Sequence, residues 1–404
     1  MKWASAFKYV SINYADVVAT VHDTTQKVCL SNNLNGDRIR LRFSNRFSKN
    51  PLRLDRVTVG TERGDAVENT RAVTLGGSEM ITLEPGQETF SDEIAISVHA
   101  GERLAVSIYI GGEQGVESVC CLWSRTNALV TFGSGDHTDG SAFEDTPLDD
   151  VLPIIKDGSL PYKKMFFYGI DALQVYTEDD VKVIAAFGDS ITHMSFVTNA
   201  LAKRLYAAYP GKVTLINSGI GGNRLVHDAT FIKATNQAVP TFGEAGVKRF
   251  EKDVFELDEV DAVLALAGIN DIMHPIQLEE RTETTAPEDI IRGYRTITEL
   301  AHENGAKIYG ATVTPCGNDD YPESWLPIFE KTRQALNQWI RGESTYDGWF
   351  DYDAAVRDEK RPGYLQPDVH IGDGLHPNGK GGELIAATVD LSMLTGLPPV
   401  QNIN

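Results

Sequence analysis

Three residues, Ser190, Asp373 and His376, have the types and the spacing needed for nucleophilic acyl transfer. A serine hydroxyl is a poor nucleophile near neutral pH, so it needs a base within hydrogen-bonding distance and a third group that orients the base. A carboxylate and an imidazole three residues apart on a short turn emerge on the same side of that turn. These residue types would allow Ser190 to act as the nucleophile, with His376 as the base and Asp373 as the residue that orients His376.

Four polar segments, each at the expected exit of a strand, carry the residues that could do this chemistry. They are residues 188–192, 217–224, 268–271 and 373–377. In an open α/β sheet, reactive groups gather beyond the carboxyl ends of the strands, so these segments are expected to meet at one edge. Each segment alone is a weak signal, because Gly-Asp-Ser is also a helix-capping sequence and Asp-x-x-His also occurs as an ordinary surface pair.

In this order, the four segments resemble the blocks of the SGNH (GDSL-like) hydrolase superfamily, named for the Ser, Gly, Asn and His that its blocks supply. The resemblance covers about residues 181 to 394 and implies a serine esterase without a cofactor or a catalytic metal. It also implies an oxyanion hole made of the backbone N–H groups of Ser190 and Gly222 and the side-chain amide of Asn270. Glycine suits the second role because it allows the main chain to approach a substrate closely.

Two other motifs are excluded by single residues. The segment 219–224 begins like a dinucleotide-binding fingerprint, but Arg224 occupies the place of the third glycine, so no nucleotide cofactor is expected. Thr192 stands where the G-x-S-x-G elbow of the α/β-hydrolases has its last glycine, which indicates a different hydrolase architecture.

Three alternative functions stay open at this stage. A metal-dependent phosphoesterase would use Asp189, Asn270, Asp271 and His376 as ligands. A non-catalytic carbohydrate-binding protein would use the N-terminal half for binding and the second half as a scaffold. A lipase-like acyl esterase would need a large apolar lid, and the sequence contains no convincing one. We expect instead an esterase for short acyl groups, with O-acetyl groups of carbohydrates as the substrate.

Residues next to the predicted catalytic blocks depart from the usual pattern of the family. His193 and Met194 follow the Gly-Asp-Ser-Ile-Thr segment, where relatives usually have an acid and a glycine. His193, His274 and His370 are expected to be rim or loop residues rather than catalytic groups. The segment 350–358, with residues 42–45 and 51–52, resembles bacterial two-domain SGNH esterases that carry an N-terminal β-sandwich.

The first half of the chain is predicted to be all-β. Short alternating runs are separated by turn residues, as in residues 38–43, where Ile39, Leu41 and Phe43 alternate with three arginines. This period of two indicates a strand with one wet face. We predict a jelly-roll-like β-sandwich domain over residues 1–176.

The second half is predicted to be an α/β domain. Apolar runs at 181–187, 213–216, 262–266 and 308–313 are typical of buried strands, and helical periodicity follows at 247–257 and 290–301. Strands that alternate with helices indicate a parallel sheet with helices on both faces. The resemblance to the SGNH hydrolases further implies a flavodoxin-like three-layer sandwich of the SGNH type over residues 177–404.

Charge and composition exclude several kinds of partner. The net charge of −20, with no opposing cluster of Lys or Arg, would repel nucleic acid. No apolar run is long enough for a membrane helix, and residues 1–10 lack the apolar core of a secretory signal. The four cysteines lack metal-ligand or disulfide spacing. We expect a cytoplasmic protein whose partner is a small-molecule or oligosaccharide ester, with no nucleic acid or membrane partner, and homo-oligomerisation is left open.

Overall fold

A computed structural model of the chain describes residues 1–124, 128–153, 155, 165–229, 231–232, 237–277 and 286–398. The chain forms two compact units, Met1–Val181 with Tyr209–Ile216, and Lys182–Ala208 with Asn217–Asn404. The domain boundary after residue 176 stays a prediction. None of the described helices is both long and apolar enough to cross a membrane.

The N-terminal region is built from β-strands. A seven-stranded antiparallel sheet has the order β10-β5-β16-β14-β2, with β1 beside β16 and β11 beside β5, and a five-stranded antiparallel sheet has the order β15-β4-β12-β7-β8. The strands are β1 Lys2–Lys8, β2 Ile12–Asn13, β3 Ala19–Val21, β4 Thr24–Ser31, β5 Gly36–Ser44, β6 Leu52–Leu54, β7 Arg56–Arg63, β8 Ala66–Ala72, β9 Ile81–Leu83, β10 Glu88–Phe90, β11 Ile94–Val98, β12 Arg103–Ile110, β13 Gln114–Val116, β14 Ser118–Leu122, β15 Ala128–Ser134 and β16 Met165–Thr177.

The two large sheets are linked face to face by polar and aromatic contacts. The side chain of Gln26 on β4 donates to the carbonyl of Tyr168 on β16 at 3.0 Å and accepts from its N–H at 2.9 Å. The ring of Phe132 on β15 contacts those of Phe166 and Tyr168, with centroids 5.5 and 6.5 Å apart. These contacts join the sheets into a sandwich, with apolar side chains of both sheets in the core.

The predicted alternation of buried and exposed residues in β5 is correct for its apolar residues, but one of its arginines is buried rather than exposed. Ile39, Leu41 and Phe43 are fully buried, as expected. Arg42, on the face predicted to be wet, is also buried, and its guanidinium pairs with Asp171 at 2.9 Å and with Glu88 at 3.2 Å. A buried arginine is tolerated because paired carboxylates compensate its charge.

From residue 182 onward, strands alternate with helices. The strands are β17 Lys182–Gly188, β18 Val213–Gly219, β19 Phe231–Ile232, β20 Gln237–Ala238, β21 Ala262–Leu266, β22 Lys307–Ala311 and β23 Gly348–Phe350. The helices are α1 Ser190–His193, α2 Phe196–Ala208, α3 Gly246–Phe255, α4 Ile269–Gln277, α5 Pro287–Glu303, α6 Trp325–Gly342, α7 Tyr352–Val356, α8 Gly379–Ala387 and α9 Leu391–Thr395, with a 3-10 turn at Pro240–Phe242.

A five-stranded sheet with the order β18-β17-β21-β22-β23 forms the centre of this domain, and the pairs β17/β21, β21/β22 and β22/β23 are parallel. All residues of β21, and all of β17 except the first, are buried. A strand buried along its whole length is covered on both faces, which is why it is apolar without alternation. The predicted fold class, an all-β region followed by an α/β domain with a parallel sheet, is confirmed.

The pairing of β17 with β21 aligns the ends of the two strands. Gly188, the last residue of β17, is the register partner of Leu266, the last residue of β21. A Cβ atom at position 188 would lie 2.2 Å from the Leu266 carbonyl oxygen, so only glycine fits there. Because the two strands end together, the segments that begin at residues 189 and 267 leave the same edge of the sheet.

Candidate active site

Ser190 is the first residue of the short helix α1, directly after β17. Asp189 caps this helix, and its carboxylate accepts a hydrogen bond from the N–H of Ile191 at 3.0 Å. The cap explains why Asp precedes Ser, since a carboxylate satisfies an N–H group that the first turn of a helix leaves without a partner. Ser190 is therefore held at the strand-to-helix turn, with 9% of its surface exposed.

The three residues predicted to act together lie in hydrogen-bonding contact. The Oγ of Ser190 is 2.8 Å from the Nε2 of His376, and the Nδ1 of His376 is 2.5 Å from the Oδ2 of Asp373. The chain brings Ser190 and His376 together across 186 residues. With the Nδ1 proton directed to Asp373, the Nε2 lone pair faces the hydroxyl, so the arrangement can move the Ser190 proton onto the imidazole.

The carboxylate of Asp373 is prepared for this role by its own turn. Its Oδ1 accepts the backbone N–H groups of Leu375 and His376, both at 3.0 Å. Burial alone would raise the pKa of Asp373, but the hydrogen bond and charge of His376, with the two N–H groups, bring the pKa below its ordinary value. Asp373 therefore stays ionised near neutral pH.

His370 holds the turn that carries Asp373. Its Nδ1 accepts the N–H groups of Gly372 at 3.1 Å and Gly374 at 3.0 Å, one on each side of Asp373. Both glycines have positive φ, 112° and 72°, which L-residues rarely adopt. The side chain of Asn318 also donates to the carbonyl of Asp373 at 3.1 Å. His370 is thus a loop residue, as expected, and it shapes the turn.

The two other predicted oxyanion donors, Gly222 and Asn270, lie in neighbouring segments. Gly222 has φ +74°, and a Cβ there would lie 2.1 Å from the ring of Phe242. One N–H of the buried Asn270 amide donates to the carbonyl of Asn223 at 3.0 Å. Because a primary amide has two hydrogens, this contact orients the Asn270 side chain and uses one of its two N–H donors.

Arg249, on α3, was missed by the sequence-based reasoning. Its Nε donates to the side chain of Asn223 at 2.9 Å, one terminal nitrogen donates to the carbonyl of Gly188 at 2.8 Å, and the other contacts Asp253 at 3.0 Å. Arg249 therefore ties the strand end before the nucleophile to the segment that follows Gly222. Its only sequence signal is an Arg-Asp pair at i and i+4, which is usually a surface feature.

Asp271 supports the same segment from the other side. Its two carboxylate oxygens accept the N–H groups of Leu225 at 2.7 Å and Val226 at 3.0 Å. Burial raises the pKa of Asp271, and these two N–H groups and the charge of Arg224 oppose the rise. In the metal-dependent alternative Asp271 would be a ligand, but here both its oxygens are used by the protein. Within the described ranges, no group of three or more His, Cys, Asp or Glu side chains could hold a metal ion.

Two of the three accessory histidines are not rim or loop residues, which corrects that expectation. His193 is the last residue of α1 and is 4% exposed, and His274 lies within α4 and is 6% exposed. Burial, with the nearby charge of Arg224, lowers the pKa of His274 to about 3, so its ring is neutral near pH 7. Its ring contacts that of Phe242, with centroids 5.0 Å apart. Both histidines are therefore part of the packed structure next to the site.

Asp189, the acid directly before Ser190, is buried and has a raised pKa. It is 1% exposed, and its Oδ2 has no hydrogen-bond partner among the residues that the structure describes. Burial raises the pKa of Asp189 to about 7, against the opposing effects of the Ile191 N–H and the charge of His376. Asp189 thus serves the helix cap with one oxygen and is partly protonated near neutral pH.

Comparisons with known proteins give one family and several solved structures. Residues 186–384 match the model of the GDSL-like Lipase/Acylhydrolase family. A GDSL-like lipase from Bacteroides thetaiotaomicron VPI-5482 is 21% identical over 54% of this chain and 89% of its own, with a TM-score of 0.38. An acetyl xylan esterase from Geobacillus stearothermophilus is 18% identical over 51% and 92%, with a TM-score of 0.37. An aryl esterase from M. smegmatis is 16% identical over 51% and 95%, with a TM-score of 0.37. No curated protein matches the sequence.

Proposed function

We propose, from the match of residues 186–384 to the GDSL-like Lipase/Acylhydrolase family model, that this chain is a serine esterase that forms an acyl-enzyme on Ser190. One observation carries the proposal: Ser190 Oγ lies 2.8 Å from His376 Nε2, and His376 Nδ1 lies 2.5 Å from Asp373. These distances allow one hydrogen bond between the hydroxyl and the base and another between the base and the orienting carboxylate.

In the proposed reaction, Ser190 Oγ attacks the ester carbonyl while its proton moves to His376 Nε2. Asp373 stabilises the imidazolium that forms. The carbonyl oxygen becomes an oxyanion, which the N–H groups of Ser190 and Gly222 and the second amide hydrogen of Asn270 stabilise. His376 then returns the proton to the departing alcohol, and a water molecule, deprotonated by the same imidazole, releases the acid from Ser190.

We infer that the preferred acyl group is short. The ring of Phe242 lies against Gly222 so closely that a Cβ there would overlap it, so the space on this side of the proposed donor is filled. In the described part of the site segments 188–195, 217–228, 268–277 and 370–378, no large apolar side chain is exposed. A long acyl chain gains affinity from apolar surface, so its absence favours a small acyl group on a polar alcohol. O-acetyl groups of carbohydrates are the substrates we propose.

Hydrolysis of 4-nitrophenyl acetate by the wild type and by Ser190→Ala tests the esterase. We expect the variant to lose at least about 10³-fold in kcat with an unchanged far-UV spectrum and Tm, because the small hydroxyl contributes chemistry rather than packing. Equal, measurable rates would overturn the proposal, and no hydrolysis by the wild type would favour a carbohydrate-binding role. Wild-type activity that EDTA abolishes would instead favour the metal-dependent alternative.

A second experiment tests the substrate. Acetate release from acetylated xylan, mannan and sugar oligomers would be measured beside 4-nitrophenyl esters of two, four, eight and twelve carbons. We expect kcat/KM to be highest for acetate and to fall with each longer chain. A maximum at eight carbons or more would identify a lipase-like esterase, and activity on aryl acetates with none on acetylated sugars would contradict the carbohydrate assignment.

A further inference from the structure

His193 connects the helix of the nucleophile to the segment that precedes Gly222. It is the fourth and last residue of α1, the helix that begins with Ser190. Its Nδ1 accepts the backbone N–H of Gly221 at 3.0 Å, and its side chain is buried. The acceptor therefore holds the residue directly before the N–H group that we propose as an oxyanion donor.

The segment 219–222 also rests directly on α1. A Cβ atom at Gly219 would lie 2.5 Å from the backbone nitrogen of His193 and 2.9 Å from its Cα. At Gly221 an added Cβ would lie 3.5 Å from the His193 Nδ1. Glycine at 219 permits this approach, so backbone packing fixes the distance between α1 and the segment 219–222. The imidazole of His193 fixes the orientation of this segment.

Hydrogen bonds of the His193 backbone hold the imidazole in place. The N–H of His193 donates to the carbonyl of Asp189 at 2.9 Å, and its carbonyl accepts from the hydroxyl of Ser195 at 2.9 Å. The side chain of Asn217 donates to the carbonyl of Thr192 at 2.8 Å, which ties the end of β18 to the same helix. His193 is thus anchored before it contacts Gly221.

The direction of the Gly222 N–H depends on the backbone angles of Gly221. Glycine has the widest choice of such angles, so Gly221 needs an external contact to select one of them. The hydrogen bond to Nδ1 supplies this contact. An imidazole accepts at Nδ1 only when its proton is on Nε2, so the contact requires the neutral Nε2–H form.

We propose that His193 is a positioning residue that sets the oxyanion donor at Gly222 by accepting the N–H of Gly221. The inference rests on the proposed esterase function and assigns no contact with substrate to His193. Its effect is expected in the transition state, where the oxyanion forms, rather than in the binding of the ester.

Two variants separate the acceptor from the bulk of the side chain. In His193→Asn, the amide oxygen lies near the position of Nδ1 and can still accept. In His193→Leu, the volume remains and the acceptor is lost. With 4-nitrophenyl acetate, we expect His193→Leu to lower kcat by about 10- to 100-fold with little change in KM, because a displaced donor weakens transition-state stabilisation. His193→Asn should stay within about threefold of the wild type because the acceptor is kept.

Inhibition by methylboronic acid gives a second measurement, because its tetrahedral adduct with Ser190 places an oxygen in the oxyanion hole. The inhibition constant should rise in His193→Leu in parallel with the fall in kcat and stay unchanged in His193→Asn. Equal losses in both variants, or none in His193→Leu, would overturn the inference. Failure of the proposed function gives a different result, an inactive wild type or an active Ser190→Ala.

A spectroscopic measurement reads the protonated nitrogen of His193 directly in the wild type, and a variant is needed only to assign the resonance. In protein labelled with ¹⁵N-histidine, long-range proton–nitrogen correlation spectra distinguish the two neutral forms of each ring. The His193 resonance, assigned by its loss in His193→Asn or in His193→Gln, should show the Nε2–H form. The Nδ1–H form would contradict the proposed role, since that nitrogen could not accept from Gly221.

Discussion

The two halves of the candidate active site are held in different ways. In the turn 370–376, which we call the acid–base turn, most of the supporting contacts described above are local: His370 accepts from Gly372 and Gly374, and Asp373 accepts from His376. The bond from the Asn318 side chain to the Asp373 carbonyl is a contact from farther away in the chain. In the segment 219–223, which we call the oxyanion segment, side chains from distant parts of the chain provide the support. They are His193, Arg249 and Asn270.

Burial follows the same division. The side chain of Asp373 is 30% exposed and that of His376 is 18% exposed. In contrast, Asn223, Arg249 and Asn270 are all buried. A local turn can keep its geometry beside water, whereas a segment with three glycines must be fixed by packed polar side chains. We therefore expect changes in the acid–base turn to affect activity alone, and changes around the oxyanion segment to affect stability as well.

The largest effect is expected for Asp373→Asn. Asparagine fills the same space, but it cannot stabilise the imidazolium of His376 and favours the wrong ring tautomer, so kcat for 4-nitrophenyl acetate should fall about 10⁴-fold. The Tm should change little. Asp368→Asn is the matched control, because Asp368 is exposed and pairs with Lys380 away from the imidazole. A fall below tenfold in Asp373→Asn would contradict the assigned role.

The next largest effect is on stability, in Arg249→Met. The Arg249 and Asp253 side chains are 2% and 3% exposed, so replacement of the guanidinium removes a buried charge partner of the Asp253 carboxylate. The free energy of unfolding in urea should fall by about 3 to 5 kcal/mol. Arg292→Met, which removes an exposed partner of Asp289, should cost less than about 1 kcal/mol. Equal losses of unfolding free energy in the two variants would contradict the expectation that buried polar contacts around the oxyanion segment stabilise the protein.

A smaller effect is expected for Asn270→Ala. Loss of one oxyanion donor should lower kcat by about 10²- to 10³-fold, or about 3 to 4 kcal/mol in the activation free energy, with KM nearly unchanged. The Tm should also fall, since Asn270 supports the carbonyl of Asn223. Asn304→Ala, at the exposed end of α5, is the control. A rise in KM at constant kcat would show that Asn270 binds the ground state instead.

The smallest effect is the acid sensitivity that His274 gives to stability. In the unfolded chain the His274 ring takes up a proton near pH 6.5, whereas in the folded protein its pKa of about 3 keeps the ring neutral. The free energy of unfolding therefore decreases as the pH falls from 6.5 towards 3. Between pH 6.5 and 5.0 the loss should be about 2 kcal/mol in the free energy of unfolding. His274→Asn should remove this part of the pH dependence, and an unchanged dependence would refute it. The wild type and His274→Asn have the same carboxyl groups, so the contribution of these groups to the pH dependence cancels in the difference between the two proteins.

The same division explains how much could be predicted from the sequence. The acid–base turn is encoded by residues close together in the chain, so Asp373 and His376 could be paired by their spacing. The apolar runs likewise predicted β17 and β21, because strands buried on both faces lack polar residues. The substrate, the catalytic roles and the cytoplasmic location stay predictions.

Features that depend on burial of polar groups could not be predicted. Arg42 follows the alternation of an exposed face and is nevertheless buried, because Asp171, far away in the chain, neutralises it. Arg249 has the spacing of a surface ion pair, and His193 has no pattern at all. Arg42 and His193 have partners that are distant in sequence, and Arg249 contacts Asn223 and Gly188 besides its near partner Asp253. The pattern of one chain does not show which polar side chains will be enclosed.

The shared ends of β17 and β21 have a consequence for how this domain tolerates insertions and deletions. Each residue added within either strand would shift its end by about 3.3 Å relative to its neighbour and turn its side chains to the opposite face. Since Gly188 and Leu266 end in register, a single-codon insertion in either strand would separate Ser190 from Asn270 without altering any active-site residue. Natural length variation among homologues should therefore be absent from these two strands and concentrate in the connections between them.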